Sequence, residues 1–186
     1  MKKGSFPKLV NVAMKAPVEI DVIILSYARN EELKALTEQT LESLIRSEDP
    51  SEIVFKTLVI ESNRNTVPYE YPNTQTIFPT TEFGYHRYMN IGIGLTHSRF
   101  VCICNNDLYF YRNWAKEILQ TFDRCPEIRS ASPICTLQHP GKGFHPDTGI
   151  FRGYETRKQV SGWCILFDRE ILKVTGPLDE KFTFWF

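Results

Sequence analysis

The apolar positions fall into two kinds of pattern, short β-branched runs and longer stretches with helical spacing. Ile20-Asp-Val-Ile-Ile-Leu-Ser26 is the first run and reads as a buried strand. Behind it, Leu33, Leu36, Leu41, Leu44 and Ile45 fall largely on one helical face. Asn30 is placed to cap that helix, Glu31 and Glu32 suit its positive end, and Pro50 marks a stop. A second strand runs from Ile53 to Ile60. Strand, helix and strand in this order predict a βαβ unit with parallel strands and a right-handed crossover. The Pro68, Pro72 and Pro79 region is mostly irregular, with a short strand predicted at Thr76-Ile77-Phe78. Phe100-Val-Cys-Ile-Cys104 is almost continuously apolar, the mark of a strand buried on both faces. Trp114, Ile118, Leu119 and Phe122 then give a helical face that ends at Asp123-Arg-Cys-Pro126, and a further strand is expected over Ile128 to Ile134. Residues 1–17 form an irregular lead-in, and His139 to Thr148 form a loop.

This order brings chemistry to one edge of a sheet. Parallel strands end on the same side, so Ser26, Tyr27, Arg29 and Glu61 should collect there. Asp107, with Asn105 and Asn106, sits where strand ends of an open α/β sheet meet ligands. A hard carboxylate beside neutral oxygen donors suits Mg2+ or Mn2+, which take further oxygens from substrate phosphates. A polar turn accounts for the same three residues, because Asn and Asp are good turn formers. Other motifs carry less. Asn90-Ile-Gly-Ile-Gly94 lacks the spacing of a dinucleotide fingerprint, and close helix-to-sheet packing explains its glycines better. Pro140-Gly-Lys-Gly143 is not a phosphate loop, and His139, His145 and Asp147 match no metal spacing, so a mobile loop accounts for them.

Composition narrows the classes. With 186 residues, 42% hydrophobic and 24% charged, the chain reads as one soluble domain with a substantial core. Lys+Arg and Asp+Glu balance at 22 each, which gives no strong nucleic-acid signature. No apolar stretch has membrane-spanning length and no signal peptide opens the chain, so a cytoplasmic location is expected. The odd number of cysteines, without CxxC spacing, points to reduced thiols. Cys102 and Cys104 would share one face of a strand.

Taken with its flanks, the Asn105-Asn106-Asp107 segment resembles family-2 glycosyltransferases of GT-A fold, rhamnosyltransferase-like, whose DxD metal signature is often written Asn-Asn-Asp. Four further segments carry the resemblance. Ser26-Tyr27-Ala28-Arg29 and Glu61-Ser62-Asn63 look like the segments that hold the nucleotide in that family, with Ala28 where Asn is common and Glu61 where Asp is usual. The stretch from Tyr85 is similar to the family's Arg-Asn-x-Gly helix. Asn90 and Gly92 match; Met89 replaces the usual Arg, which leaves Arg87 as the candidate phosphate contact. Ser161-Gly-Trp-Cys through Gly176-Pro-Leu-Asp-Glu-Lys-Phe182 resembles the family's glycine, strand, short helix and Asp-Glu segment. Gly162 and Trp163 would line the sugar site, and Asp179 and Glu180 the acceptor side. A turn cap explains Asp179 equally well.

The resemblance implies an α/β GT-A fold over 18–186, a Rossmann-like, mainly parallel sheet flanked by helices. It implies a metal-dependent, inverting transfer from a nucleotide-diphosphate sugar to a glycan or other hydroxyl acceptor, with Mn2+ or Mg2+ at Asp107. The family's acidic base pair usually follows a few residues beyond this segment, and the sequence ends at Phe186 just before it. Asp179 or Glu180 is then a fallback base. The alternative is a truncated or degenerate domain that binds nucleotide or glycan without turnover. A nucleotidyltransferase is disfavoured by the absence of its glycine-rich loop near the first strand.

Overall fold

A computed structural model describes residues 16–145, 149–153 and 162–182. The expectations for most of the lead-in, for Asp147 and Ser161, and for residues beyond Phe182 lie outside these. Described in chain order, the elements are β1 (Val18–Ser26), α1 (Glu31–Arg46), β2 (Ile53–Glu61), β3 (Gln75–Ile77), α2 (Tyr85–Leu95), β4 (Phe100–Asn105), α3 (Trp114–Arg124), β5 (Ser130–Ala131), β6 (Cys164–Asp168) and α4 (Leu172–Thr175). The strands form one sheet in the order β3-β2-β1-β4-β6-β5. β1 pairs in parallel with β2 and β4, and β2 with β3, whereas β6 runs antiparallel to β4. No helix among the described residues is long and apolar enough to cross a membrane.

The double-sided burial of the central strands explains their sequence. Ile20, Val22 and Ile24 of β1 and Cys102 and Cys104 of β4 pack with Leu41, Leu44, Trp114 and Ile118 from α1 and α3. The alternate residues Ile23, Val101 and Ile103 pack with Tyr88, Met89 and Ile93 of α2 on the other face. Period-two alternation with both faces covered leaves little room for polar residues. The cysteines are free thiols; Cys102 Sγ lies 3.6 Å from Cys164 Sγ. Hydrogen bonding with Cys104 and Cys164, reinforced by burial, pushes the Cys102 thiol well above its ordinary range.

Helix α1 begins where its capping residue predicts. Asn30 has extended backbone and its Oδ1 accepts the Leu33 N–H at 2.9 Å, a contact whose loss costs about 1 kcal/mol. Strand β5 is shorter than the expected run from Ile128 to Ile134. Only Ser130 and Ala131 pair with β6, and Pro133, without an N–H to donate, stands just beyond.

Two features fix α2 on the sheet. A Cβ placed on Gly92 would come within 2.5 Å of Ile23 Cγ2, so only glycine permits this approach, whereas Gly94 faces open space. At the C-terminal end of α2, the buried Asp21 accepts the Ser98 N–H at 2.6 Å, the Ser98 hydroxyl at 2.8 Å and Arg169 Nη2 at 2.9 Å. Arg169 also donates to the Ile93 and Ser98 carbonyls, each at 2.8 Å. One guanidinium thus ties β1, α2 and the exit of β6 together. Beside it, the buried Asp168 accepts from the Glu170 N–H, Arg99 and Arg129. Burial works against its ionisation, but those three donors prevail and hold the carboxyl below its ordinary value.

Two outcomes are expected. Gly92→Ala should lose about 1–3 kcal/mol in urea unfolding through overpacking against Ile23, while Gly94→Ala should be neutral or gain up to about 1 kcal/mol. Because the folded pKa of Asp168 is depressed, its contribution is present above the ordinary value of 3.8 and lost as pH falls through the folded value. Asp168→Asn should therefore be less stable than wild type at neutral pH and should show a smaller further loss on acidification, measured by denaturation at each pH.

Candidate functional site

Strand register carries the four separated motifs to one edge. Ser26 faces Glu61 across β1 and β2, Leu25 faces Asn105 across β1 and β4, and Cys104 faces Cys164 across β4 and β6. The pairing extends one step further, where the Asn105 N–H donates to the Trp163 carbonyl at 2.8 Å. Because β6 is antiparallel, its start, not its end, arrives beside the ends of β1, β2 and β4. Gly162 and Trp163 therefore adjoin Asn105-Asn106-Asp107. Helix α2 leads back to the start of β4, so its first turn also lies at this edge.

Glu61 knits the ends of β1 and β2. Its buried carboxylate accepts the Ala28 N–H at 3.2 Å, the Asn63 N–H at 2.6 Å and the Tyr69 hydroxyl. Asn63 Nδ2 donates to the Ala28 carbonyl at 2.7 Å and Ser62 Oγ to the Ser26 carbonyl at 2.7 Å. Burial and the Glu61 contact push the Tyr69 phenol far up, so it stays a donor. Ser26 is buried with its hydroxyl 3.4 Å from Thr37 Oγ1. Tyr27 is 52% exposed, and the Arg29 guanidinium lies 5.4 Å from its ring centroid. The inner residues of this segment hold the loop, and the outer two face solvent.

The Asn-Asn-Asp segment is set by a row of hydroxyls on α1 that sequence reasoning missed. Thr37 accepts Asn106 Nδ2 at 2.9 Å, and Thr40 donates to the Asn106 carbonyl at 2.8 Å while accepting the Leu108 N–H at 3.1 Å. Ser43 accepts the Phe110 N–H at 3.1 Å, and Ser47 accepts Trp114 Nε1 at 3.0 Å. Glu48 accepts the Ala115 and Lys116 N–H groups at 2.8 and 3.3 Å, capping α3 from outside. The available signal was Thr37, Thr40, Ser43 and Ser47 at helical spacing, a polar seam beside the leucine face. Asp107 itself is exposed, and the described residues contain no group of three His, Cys, Asp or Glu side chains able to hold a metal.

The remaining predicted residues separate into two groups. Met89 is fully buried against the sheet, which explains why no arginine stands there. Arg87 points outward, with Nε 3.1 Å from Glu180 Oε2 and Nη1 donating to the Glu82 carbonyl at 3.1 Å. Asn90 clasps the same segment: Nδ2 donates to the Leu178 carbonyl at 2.9 Å and to Glu180 Oε1 at 3.0 Å, and Oδ1 accepts the Leu178 N–H at 3.0 Å. Asn90 and Arg87, in that order, hold the Glu180 carboxyl below its ordinary range. The Asp179 carboxylate accepts the Lys181 N–H at 3.0 Å, which is the turn-cap geometry, and its carbonyl meets His86 Nδ1 at 2.7 Å.

His139 departs from the mobile-loop expectation. It is buried, its Nδ1 accepts the Cys135 N–H at 2.9 Å, and its ring lies 5.6 Å from that of Trp163. Desolvation, with the Lys142 charge adding to it, lowers its pKa. It packs as a neutral ring behind Trp163.

No protein-family model matches the sequence, and no curated protein matches it significantly. Solved structures do match. The mannosyltransferase PcManGT from Pyrobaculum calidifontis, in complex with GDP-Man and Mn2+, superposes with a TM-score of 0.59 at 15% identity, covering 88% of this chain and 48% of its own. S. aureus TarS 1-349 in complex with UDP-GlcNAc gives 0.55 at 18% identity, with 85% and 47% covered. A second crystal structure of S. aureus TarS gives 0.58 at 18% identity, with 89% and 31% covered. The chain spans less than half the length of each of these proteins. At such identities the likeness establishes the fold, a GT-A type mixed sheet, mainly parallel and flanked by helices.

Thr40→Val removes both a donor to Asn106 and an acceptor for Leu108 while keeping the side-chain shape. It should cost about 1–3 kcal/mol in chemical denaturation, and amide exchange should quicken at Leu108 more than at Ile20.

Proposed function

We propose that the chain is a glycosyltransferase domain that uses a nucleotide-diphosphate sugar donor. The observation that carries this reading is the convergence of Ser26-Tyr27, Glu61, Asn105-Asn106-Asp107 and Gly162-Trp163 on one strand edge. Open α/β sheets bind ligands there. The GT-A fold, shared with neighbours solved with GDP-Man and with UDP-GlcNAc, supports it.

Within this reading, exposed Tyr27 and Arg29 meet the base and ribose, over a loop made rigid by Glu61. Gly162 and Trp163, backed by His139, shape the sugar side. Asp107 supplies one hard, exposed carboxylate, and the oxygens of Asn105 and Asn106 lie next in sequence. Such a set fits Mg2+ or Mn2+, ions that complete their shell from diphosphate and water rather than from a protein cage. When bound, the ion offsets charge developing on the leaving diphosphate. In an inverting displacement the acceptor hydroxyl approaches from the Asp179 side. Glu180, engaged through both oxygens and held acidic, is a weak base there, which leaves Asp179 as the better fallback base.

That same engagement of Glu180 favours a second reading, a domain that binds nucleotide or glycan without turnover. Release of sugar from a donor that depends on Asp107 separates the two.

Calorimetric titration with UDP, GDP, CDP and dTDP, with and without Mn2+, tests the donor site. Wild type should bind one of the four selectively and in a metal-dependent manner, and Asp107→Ala should weaken it by roughly tenfold or more, about 1.4 kcal/mol. Absence of binding to all four would overturn the donor-site reading.

A further inference from the structure

We propose that the groove between α1 and the segment following β4 is a saccharide-binding site, with Tyr109 and Tyr111 as its stacking platform. Along this segment Phe110 is buried, whereas Tyr109 is 73% and Tyr111 60% exposed. The Leu108 and Phe110 N–H groups are held by Thr40 and Ser43, so the tyrosines project from a fixed ribbon. Their rings meet edge to face with centroids 5.3 Å apart. Aromatic rings on pinned backbone lose little conformational freedom when a ligand covers them. With Gln39, Glu42, Arg46 and Arg112 they line an open groove of about 450 Å3, within the size range of ligand sites.

The chemistry of the lining selects the occupant. A pyranose ring has an apolar C–H face and a rim of hydroxyls that both donate and accept. The phenol rings take the face through apolar and dispersion contact. Gln39 donates and accepts, Glu42 only accepts, and Arg112 only donates, so the rim answers hydroxyls of either sense. Arg46 is 3.5 Å from Glu42, and the acidic partner works against a polyanion, which needs a concentration of unopposed cations. An apolar peptide would strand the charged rim without partners. From Asn106 at Thr37 and Thr40 to Trp114 at Ser47 the segment runs along α1 away from the strand edge, so the groove lies behind that edge, and binding of a saccharide there does not depend on the transferase reading.

The test is amide NMR titration of the isotope-labelled chain with maltohexaose, cellohexaose, chitohexaose and mannohexaose, repeated on Tyr109→Ala and Tyr111→Ala. At least one hexasaccharide should shift amides in α1 and in the segment after Asp107, with affinity weakened roughly tenfold in each variant. Both side chains are exposed, so the variants should keep the wild-type melting temperature. No such shift with any of the four, or binding that both variants retain, overturns the proposal. Binding of a single-stranded oligothymidylate at the same amides with no hexasaccharide binding also overturns it, and would assign the groove to nucleic acid. Failure of the donor site is read separately from nucleoside diphosphate titration of the same wild-type chain.

Discussion

The position of strand β4 between a parallel and an antiparallel neighbour is the constraint on which the site depends. Backbone hydrogen bonding to β1 brings the Asn-Asn-Asp segment level with Ser26 and Glu61. Pairing with β6 on the other side brings in a residue stretch from far along the chain by its start, down to the Asn105 to Trp163 bond. A slip of one residue in either ladder would turn every core side chain of β4 to the wrong face. The burial of Val101 and Ile103 on one side and Cys102 and Cys104 on the other makes that slip costly. The hydrophobic core thus sets the geometry of the edge, and Trp163 is where the two meet.

How much of this the sequence displayed depends on whether the determinant was periodic. β1, α1, β2 and β4 follow from alternation and helical spacing, and the Asn30 cap is local chemistry. Gly92 was legible as a close-packing glycine, though the partner Ile23 was not. The seam of Thr37, Thr40, Ser43 and Ser47 escaped because hydroxyls on a helix read as solvated surface unless the segment they bond is known. His139 escaped for a related reason. A histidine among Gly and Pro reads as a loop residue, and only the fold places Trp163 against it. Two of the predicted residues found each other: Arg87, the candidate phosphate contact, and Glu180, expected on the acceptor side, pair directly.

The persistence of the fold at 15–18% identity to solved proteins is understandable on the same grounds. In this chain the sheet rests on a pattern of buried positions, a glycine where α2 meets β1, and the Asp21 to Arg169 tie. Few of these demand a particular residue, and those that do are scattered singly. Sequence similarity fades long before the sheet does.

The hydroxyl row on α1 has an evolutionary consequence. Thr40 and Ser43 hold the segment after β4 through backbone groups of Asn106, Leu108 and Phe110, and none of the row's bonds uses the outward side chains of Tyr109, Tyr111 or Arg112. Tyr109, Tyr111 and Arg112 are exposed side chains on a frame held from the helix, in the manner of a type slug whose face can be recut while its body stays the same. New recognition could arise there by point substitution alone, with no loop to redesign and no core to repack.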